Sequence, residues 1–558
     1  MGPHRLDAGL PDYALVERRE MLCGLGYGPE AMERIQVGVV STWGEVNPAA
    51  VHLDKVTQAV KAGIWTAGGT PREFVISSIC TSMAGDDRYL LPVRDLIAGY
   101  VETVARANLL DALVVVPVCD DVIPGHLMAA ARLDLPAVVV TGGYMQLNRW
   151  AGKPVDPLQV AAGHLVGHKE GRTSAEEFAE IVDRGCPGGG ACPVMGTANT
   201  MAALAEALGM SLPTNASTPG SDSRLLRLAF ESGRTVVELH RRGLTPSRIL
   251  TEAAFENAIR VLMAVGGSTN GVLHLQAVAA ELGLDLTPET FNRLNRDTCL
   301  ICDIAPSGSG THYMAELDEA GGIQAVMKEL EPLLHTDVLT VTGASLKSNL
   351  ERVRVLDRDI IRPLDDPLSA GGGLLFLRGS LAPNGGLVKT SAVPPAMHRH
   401  RGPARIFPTE EGACQALEAG ELTPGDVVVV RFAGPKGDPG MRLLQRFLWQ
   451  LAARGLHDRI AFVTDGRISG TNKGCAVTHI GPEAAEGGPL AMVQDGDMIE
   501  IDIPGGRLDL DVPAAEIARR MESWQPPAPR VRGGYLSVYA RMARSADRGA
   551  ALDYGTTA

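Results

Sequence analysis

The sequence predicts an α/β protein with two main domains. The first is a three-layer domain on a parallel sheet, continued by a helical region, and the second is β-rich and barrel-like. Apolar strands alternate with helices up to about residue 150, and helical periodicity dominates from about 175 to 350. Short apolar strands with many turns follow the Pro/Gly-rich stretch 363–373. The predicted divisions are an N-terminal extension 1–34, an α/β domain 35–365, a β-rich domain 370–545 and a tail 546–558.

The N-terminal strands are continuously apolar, which is typical of a parallel sheet covered on both faces. Strands are expected at 36–41, 74–79, 112–118 and 137–141, with helices at 50–62, 93–108 and 125–133. In such sheets reactive residues gather at the carboxyl ends of strands. Cys119 and Asp120 follow one of these ends.

The remaining elements follow from the same periodicities. Amphipathic helices are expected at 199–208, 223–241 and 252–265, and β-rich units contain strands at 374–377, 427–431, 460–463 and 498–502. Neither a repeat nor a low-complexity tract interrupts them.

Composition excludes several classes of protein. The 558 residues are 45% hydrophobic and carry a formal net charge of -13, without a basic cluster that would suit nucleic acid. We expect no membrane span and no signal peptide, because no apolar run is long enough. Nine cysteines in a large chain favour reduced thiols or metal ligands in the cytoplasm over a secreted disulfide framework.

The segment Cys119-Asp120-Asp121 combines a thiol with two carboxylates. Thiolate is the soft ligand that iron–sulfur clusters and zinc prefer, while carboxylates are hard oxygen ligands. A cysteine at a strand end is also commonly a small buried hydrophobe. The adjacent acid pair favours a metal or catalytic site, because carboxylates are rarely buried without a partner.

A second cysteine pair, Cys186 and Cys192, flanks a glycine-rich loop where the backbone can approach a bound group. The loop leads into 196–201, a helix N-terminus that is suited to an anion. A flexible loop with incidental cysteines is the alternative. Zinc is disfavoured, because no closely spaced Cys/His set is present.

Glycine-rich loops at 266–270 and 434–441 are dense in backbone donors and could cradle a carboxylate or phosphate, although each is also a plausible structural turn. Ser469 lies in the loop Thr464–Gly470, just after a strand. A serine there could bind an anion, or act as a base if a metal lowers its pKa.

Together these motifs resemble the dihydroxy-acid dehydratase and phosphogluconate dehydratase family, including its sugar-acid dehydratase branch. The resemblance covers nearly the whole chain, in one order. Its motifs are 67–71, 119–120, 124–125, 197–201, 266–270, 379–383, 402–405, 434–441, 465–470, 482–485 and 488–489.

The resemblance implies β-elimination of water from a 2,3-dihydroxy acid to give a 2-keto acid. It also implies a [2Fe-2S] cluster that acts on the departing hydroxyl, a magnesium ion that holds the substrate, and a serine that takes the C2 proton. Members of the family are dimers whose site lies between the two domains, so a homodimer is expected.

Carried over to this chain, two family cluster cysteines match Cys119 and Cys192, the proposed base matches Ser469, and His479 keeps its place. The third cluster cysteine corresponds to Ala49. The family's carboxylated lysine is replaced by Asp121, and a metal-binding glutamate by Leu443.

A further family aspartate is missing near 78–80. Cys80 lies close to its place and could supply a third thiolate. Asp120, Asp121, Asp86 or Asp87 could rebuild an oxygen site.

Two hypotheses follow. The first is a lyase acting on a small hydroxy acid to give a keto or enol acid, either with altered cluster ligation or without metal. In it Ser469, His479 and Asp121 are catalytic, Cys119, Cys192 and Cys80 surround the cofactor position, and Asp120 and Asp121 face the metal position. The predicted substrate-binding residues are Ser268, Thr269, Asn270, Gly470 and Thr471. The second hypothesis is a catalytically silent homologue that binds a ligand or partners an active subunit.

Overall fold

Two sheets organise the part of the chain that the computed structural model describes, residues 10–307, 310–470 and 473–555. The N-terminal sheet has the order β2-β1-β3-β4, and all its pairs are parallel. Its strands are β1 (Ile35–Ser41), β2 (Gly69–Val75), β3 (Ala112–Val116) and β4 (Ala137–Val139). A small antiparallel hairpin follows, β5 (Asn148–Trp150) and β6 (Lys153–Val155). The predicted parallel sheet is therefore confirmed.

Helices cover this sheet and build the region that follows it. They are α1 (Asp12–Gly24), α2 (Pro29–Met32), α3 (Leu53–Thr66), α4 (Leu90–Ala107), α5 (Val122–Leu133), α6 (Pro157–Gln159), α7 (Leu165–Lys169), α8 (Ala175–Arg184), α9 (Thr197–Ala207), α10 (Ser223–Arg242), α11 (Pro246–Ile249), α12 (Glu252–Ala264), α13 (Asn270–Ala280), α14 (Pro288–Arg296), α15 (Met314–Glu319), α16 (Gly322–Glu329) and α17 (Leu346–Leu350). A π-helical turn (Val160–His164) joins α6 to α7. The mostly helical texture expected from 175 to 350 is present.

Close packing of α3 against α10 depends on two glycines. A Cβ at Gly63 would lie 1.9 Å from the carbonyl oxygen of Phe230, and one at Gly233 would lie 2.2 Å from that of Val60. Since no other residue lacks a Cβ, only glycine lets these two helices approach so closely.

Several boundaries differ from the predictions by a few residues, and two of them concern β2 and α3. Residues 76–79 are not part of β2, which instead begins at Gly69, where it pairs with Ile35 of β1. Helix α3 begins at Leu53 rather than near residue 50, because Pro48–Ala50 forms a separate 3₁₀ turn, in which the amide of Ala49 donates a hydrogen bond of 2.9 Å to the side chain of Asn47.

The C-terminal domain is an eight-stranded sheet with the order β14-β13-β9-β10-β11-β12-β8-β7. Its elements are β7 (Leu375–Leu377), β8 (Gly385–Val388), β9 (Arg399–Phe407), α18 (Glu410–Glu418), β10 (Val427–Val430), α19 (Arg446–Ala453), β11 (Ala461–Thr464), β12 (Ala476–Gly481), β13 (Met498–Asp502), β14 (Arg507–Leu510), α20 (Ala514–Glu522) and α21 (Gly534–Met542). The backbone of Arg378 bonds to residues 506 and 508, which brings β7 to β14 and nearly closes the sheet. This is the predicted barrel-like domain.

The last described segment packs back onto the N-terminal domain. Ala550 and Leu552 are buried with Leu91 of α4 and Leu273 of α13. Within the described residues, no helix combines the length and apolarity needed to cross a membrane.

Candidate active site

Three cysteines and an aspartate from the N-terminal domain meet a serine of the C-terminal domain in one cleft. Its lining includes Cys80, Cys119, Asp120, Cys192 and Ser469. Cys119 and Asp120 follow β3, whereas Ser469 follows β11, so two different sheets present these groups. The lining of this cleft brings together most of the reactive residues that the sequence indicated.

Cys119 is buried and has a φ of 83°, a conformation that is uncommon for a residue with a Cβ. Such strained residues concentrate at functional sites, where the surrounding fold enforces them. The strained backbone is consistent with a functional role for this cysteine.

The thiols of Cys80 and Cys119 form a hydrogen bond. This bond lowers the pKa of Cys80 to about 6, while the same bond and burial raise the pKa of Cys119. Burial, together with the charges of Asp120 and Cys80, also raises the pKa of Cys192. At neutral pH the cleft therefore contains one ionised thiol among three.

Asp120 is the acidic group of the cleft. Burial raises its pKa to about 7, with a further contribution from the charge of Asp121, and Thr81 donates a hydrogen bond of 3.4 Å to it. A carboxyl group with this pKa is partly protonated at neutral pH, so it can both give and take a proton.

Asp121, the adjacent residue, is not part of the cleft lining. Its two carboxylate oxygens accept hydrogen bonds of 3.0 and 3.3 Å from the guanidinium of Arg467, and both side chains are buried. His274 Nε2 lies 3.5 Å from the same carboxylate. The predicted catalytic and metal-binding Asp121 is thus committed to an ion pair.

His479 is fully buried in β12 and likewise does not line the cleft. Burial lowers its pKa to about 3, and the nearby Arg467 charge adds to this effect. Among the described residues neither ring nitrogen has a hydrogen-bond partner. The imidazole is therefore neutral at physiological pH.

The predicted substrate-binding residues Ser268, Thr269 and Asn270 are buried behind the cleft. Ser268 Oγ lies 2.8 Å from Thr197 Oγ1, which also accepts a hydrogen bond of 3.2 Å from Asn270. Thr269 donates a hydrogen bond of 3.1 Å to the carbonyl of Ile468. In this arrangement the three residues support the loop that carries Ser469.

Gly470 completes the support of that loop. A Cβ at this position would lie 2.7 Å from the Cα of Ser268, so the close approach requires glycine. Its carbonyl accepts a hydrogen bond of 2.7 Å from Nζ of Lys389. Thr471, also predicted to bind substrate, lies outside the described residues.

Lys389 is a residue that the sequence analysis missed. It is fully buried, and burial lowers its pKa to about 7. The available signal was a lone lysine directly after the apolar strand β8, but a strand-end lysine is ordinarily exposed. Arg467 was also missed, although it stands in the same motif as Ser469.

The residues at the cluster position do not fit the iron–sulfur cluster that the resemblance implies. Ala49, the position of the third cluster cysteine, is buried beside the cysteine loop, since its carbonyl accepts a hydrogen bond of 3.0 Å from the amide of Gly190. A methyl group there cannot bind iron. Across the described residues, no three or more His, Cys, Asp or Glu side chains form a group that could hold a metal ion.

The residues at the expected magnesium position do not fit that ion either. Leu443 is buried and its backbone pairs with that of Arg467. The side chains there are the cation of Arg467, the apolar Leu443 and the carboxylate of Asp121, which is already paired with Arg467. This is a poor donor set for a hard divalent ion, which prefers several oxygen ligands.

Comparison with known proteins covers both domains. The family model for the dihydroxy-acid/6-phosphogluconate dehydratase N-terminal domain matches residues 34–349, and the model for the C-terminal domain matches 359–550.

Among similar proteins, the dihydroxy-acid dehydratase of Ignicoccus hospitalis is 47% identical over 98% of this chain and 98% of its own length. Those of Moorella thermoacetica and Acetivibrio thermocellus are 45% and 44% identical over 98% of this chain and 100% of theirs. Each of these relatives is named as a dihydroxy-acid dehydratase, and the match covers nearly the whole of each one. The chain belongs to the dihydroxy-acid/6-phosphogluconate dehydratase family.

Proposed function

We propose that the protein is a hydro-lyase that eliminates water from a small 2,3-dihydroxy acid. The observation that carries this proposal is the convergence of Ser469, Asp120 and Cys80 in one cleft, from segments far apart in the chain. The names of the full-length relatives support the same reaction class.

The elimination requires a base at C2 and an acid at the C3 hydroxyl. The base removes the C2 proton, the C–H electron pair forms the C2–C3 double bond, and the C3–O bond breaks. The hydroxyl leaves as water after receiving a proton, and the resulting enol acid tautomerises to a 2-keto acid. The same groups would serve other chemistry that begins with loss of the C2 proton.

Asp120 is suited to supply the proton to the leaving hydroxyl. With a pKa of about 7, it holds a proton in a substantial fraction of molecules at neutral pH. An ordinary aspartate would be almost fully ionised there and could not donate.

We assign Ser469 to the C2 proton and Cys80 to support it. A serine hydroxyl is a weak base unless a neighbouring group accepts its own proton. Cys80, whose pKa is about 6, is the thiol of the cleft that is ionised at neutral pH. Cys80 can therefore take the proton that Ser469 releases.

The second candidate function is a catalytically silent homologue. It is favoured by apolar residues at two positions where the resemblance implies metal ligands. Ala49 and Leu443 place side chains without donor atoms where the resemblance implies ligands. Such a protein would bind a hydroxy acid in the cleft without converting it.

We also propose that the protein acts as a homodimer in the cytoplasm. All nine cysteines are free, which suits a reducing compartment. Large apolar side chains are exposed at Trp43, Val46, Met83 and Tyr89, as expected at a subunit interface.

The proposal is tested with protein purified anaerobically, assayed for iron and sulfide, and incubated with short 2,3-dihydroxy acids while keto acid is detected by hydrazone formation. We expect keto acid from the wild type and none from Ser469→Ala, with unchanged thermal unfolding. The control is Ser523→Ala, at an exposed serine of the C-terminal domain. Unchanged turnover in Ser469→Ala would remove this serine from the mechanism, and binding without any turnover in the wild type would favour the silent homologue.

A further inference from the structure

A second pocket lies at the β2 edge of the N-terminal sheet, and it shares no lining residue with the cleft of the candidate active site. Its volume is about 210 Å³, several times the roughly 30 Å³ that one water molecule occupies in the liquid. Tyr27, which follows α1, Arg72 and Phe74 of β2, and Asn108 at the end of α4 are among the residues that line it. The pocket is therefore large enough for a small ligand, and it is separate from the proposed chemistry.

Two arginines from different elements meet at this pocket. Nη2 of Arg18, on α1, donates a hydrogen bond to the carbonyl oxygen of Asn108. Nη2 of Arg72 donates one of 3.3 Å to the side-chain oxygen of the same asparagine. Because both guanidinium groups bond to a single residue, two positive charges are held close together. Their mutual repulsion would be relieved by an anion placed between them.

Each of the two arginines also retains a buried donor without an acceptor. In the part of the chain that the structure describes, neither Nε of Arg18 nor Nη1 of Arg72 has a hydrogen-bond partner. A buried donor left unpaired destabilises a fold, and more so when it belongs to a charged group. Guanidinium groups present their N–H donors in a planar fork that matches the oxygens of a carboxylate or phosphate. The pair can therefore donate to two oxygens of one anion.

Neighbouring protein groups compensate only part of this charge. Asn108 follows the last turn of α4, where the helix carbonyls attract cations, and this accounts for one bond of Arg18. Burial, and next the charge of Arg72, lower the pKa of Arg18, whereas Asp111 raises it by less. Glu73, the acidic residue of the lining, is already in an ion pair of 2.8 Å with a lysine. The arginine pair thus keeps uncompensated positive charge.

We propose that this pocket binds a small oxyanion, a carboxylate or phosphate group whose oxygens accept hydrogen bonds from Arg18 and Arg72. Such an anion would join α1 to the sheet. The helix needs this support, because Leu22 is the one side chain that α1 buries. Binding therefore orders the N-terminal helix on β2 and α4. The site does not depend on the proposed function, since the anion takes no part in the elimination.

The test is calorimetric titration of the full-length wild-type protein with inorganic phosphate and, separately, with succinate. Sodium chloride keeps the ionic strength constant. We expect saturable binding of at least one of the two anions, and their relative affinities distinguish a phosphate from a carboxylate ligand. Binding of neither anion, or a response that chloride alone reproduces, would overturn the proposal.

Variants of the arginines locate the site. Arg18→Met should weaken binding about tenfold or more, because it removes a charge-assisted hydrogen bond. Arg72→Gln should do the same while keeping a donor for Asn108. The matched control is Arg19→Met, which removes an exposed arginine from the next position of the same helix and should keep wild-type affinity. Wild-type affinity in both arginine-pair variants would place the anion elsewhere and overturn the proposal.

A second measurement tests whether the anion joins α1 to the sheet. Amide hydrogen exchange within residues 12–24, followed by mass spectrometry, should slow when the anion binds the wild type and the Arg19→Met control. It should not change in Arg18→Met. Binding that leaves the exchange of α1 unaltered in the wild type would contradict this role. Neither measurement requires turnover, so the result is the same for an active lyase and for a silent homologue.

Discussion

Asp120 and Asp121 are consecutive in the chain, but their environments are opposite. Asp120 lines the cleft with a pKa raised to about 7, whereas Asp121 is paired with the buried Arg467 behind it. Desolvation raises the pKa of the first carboxyl and leaves it ready to exchange a proton, while the second carboxylate is held in hydrogen bonds to a buried guanidinium. Two identical side chains thus differ in chemical behaviour because their surroundings differ.

The contrast between the two aspartates is tested most strongly by removing Asp121, the partner of Arg467. Asp121→Ala should lower the free energy of unfolding by about 3–5 kcal/mol, because it leaves a buried guanidinium unpaired. Urea denaturation followed by circular dichroism measures this loss. The control is the double variant Asp121→Leu/Arg467→Met, which removes both charges and should recover most of the stability; equal instability in both variants would contradict the role of the ion pair.

A change at Asp120 should affect activity instead. Asp120→Asn removes the proposed acid and should lower kcat by at least about 100-fold, the lower end of typical general acid–base contributions, without a loss of stability. In the wild type, activity should rise with pH through about 6, as Cys80 ionises, and fall above about 7, as Asp120 loses its proton. An asparagine variant that retains wild-type kcat and the alkaline limb would rule out Asp120 as the acid.

The smallest effect on turnover is expected at Lys389, which supports the Ser469 loop from behind. The folded pKa of about 7 is below the ordinary value of 10.5, so the unfolded chain binds more protons between these values. Wild-type stability should therefore rise relative to Lys389→Met as pH increases from 7 to 10.5, and turnover of the variant should fall as its loop loses the bond to Gly470. Thermal unfolding of both proteins across this pH range measures the difference, and parallel curves would show that the lysine is not buried as a neutral amine.

Much of the fold was predictable because its signals are local. Continuous apolar runs such as 112–118 predicted a covered parallel sheet, and the strand-end position of Cys119 predicted that its thiol would lie near a site. The change to short strands after residue 373 predicted the barrel-like domain. The proposed third thiol, Cys80, does lie beside Cys119.

The organisation around these residues was less predictable, because it depends on distant partners. Asp121 and Arg467 are separated by 346 positions, and nothing in either segment shows that they pair. Burial of Lys389 and His479 depends likewise on the packing of whole domains. For this reason the sequence grouped Asp121 and His479 with the reactive residues, whereas the structure places neither in the cleft lining.

The docking of the final segment has a consequence for biosynthesis. The carbonyl of Ala550 accepts hydrogen bonds from the buried Arg94 and from Tyr539, and the amide of Leu552 donates one to Asp95. During translation helix α4 emerges more than four hundred residues before these partners. Until residues 539–552 have been synthesised, Arg94 and Asp95 lack these partners, so the first domain cannot complete its native packing before the second domain has been made.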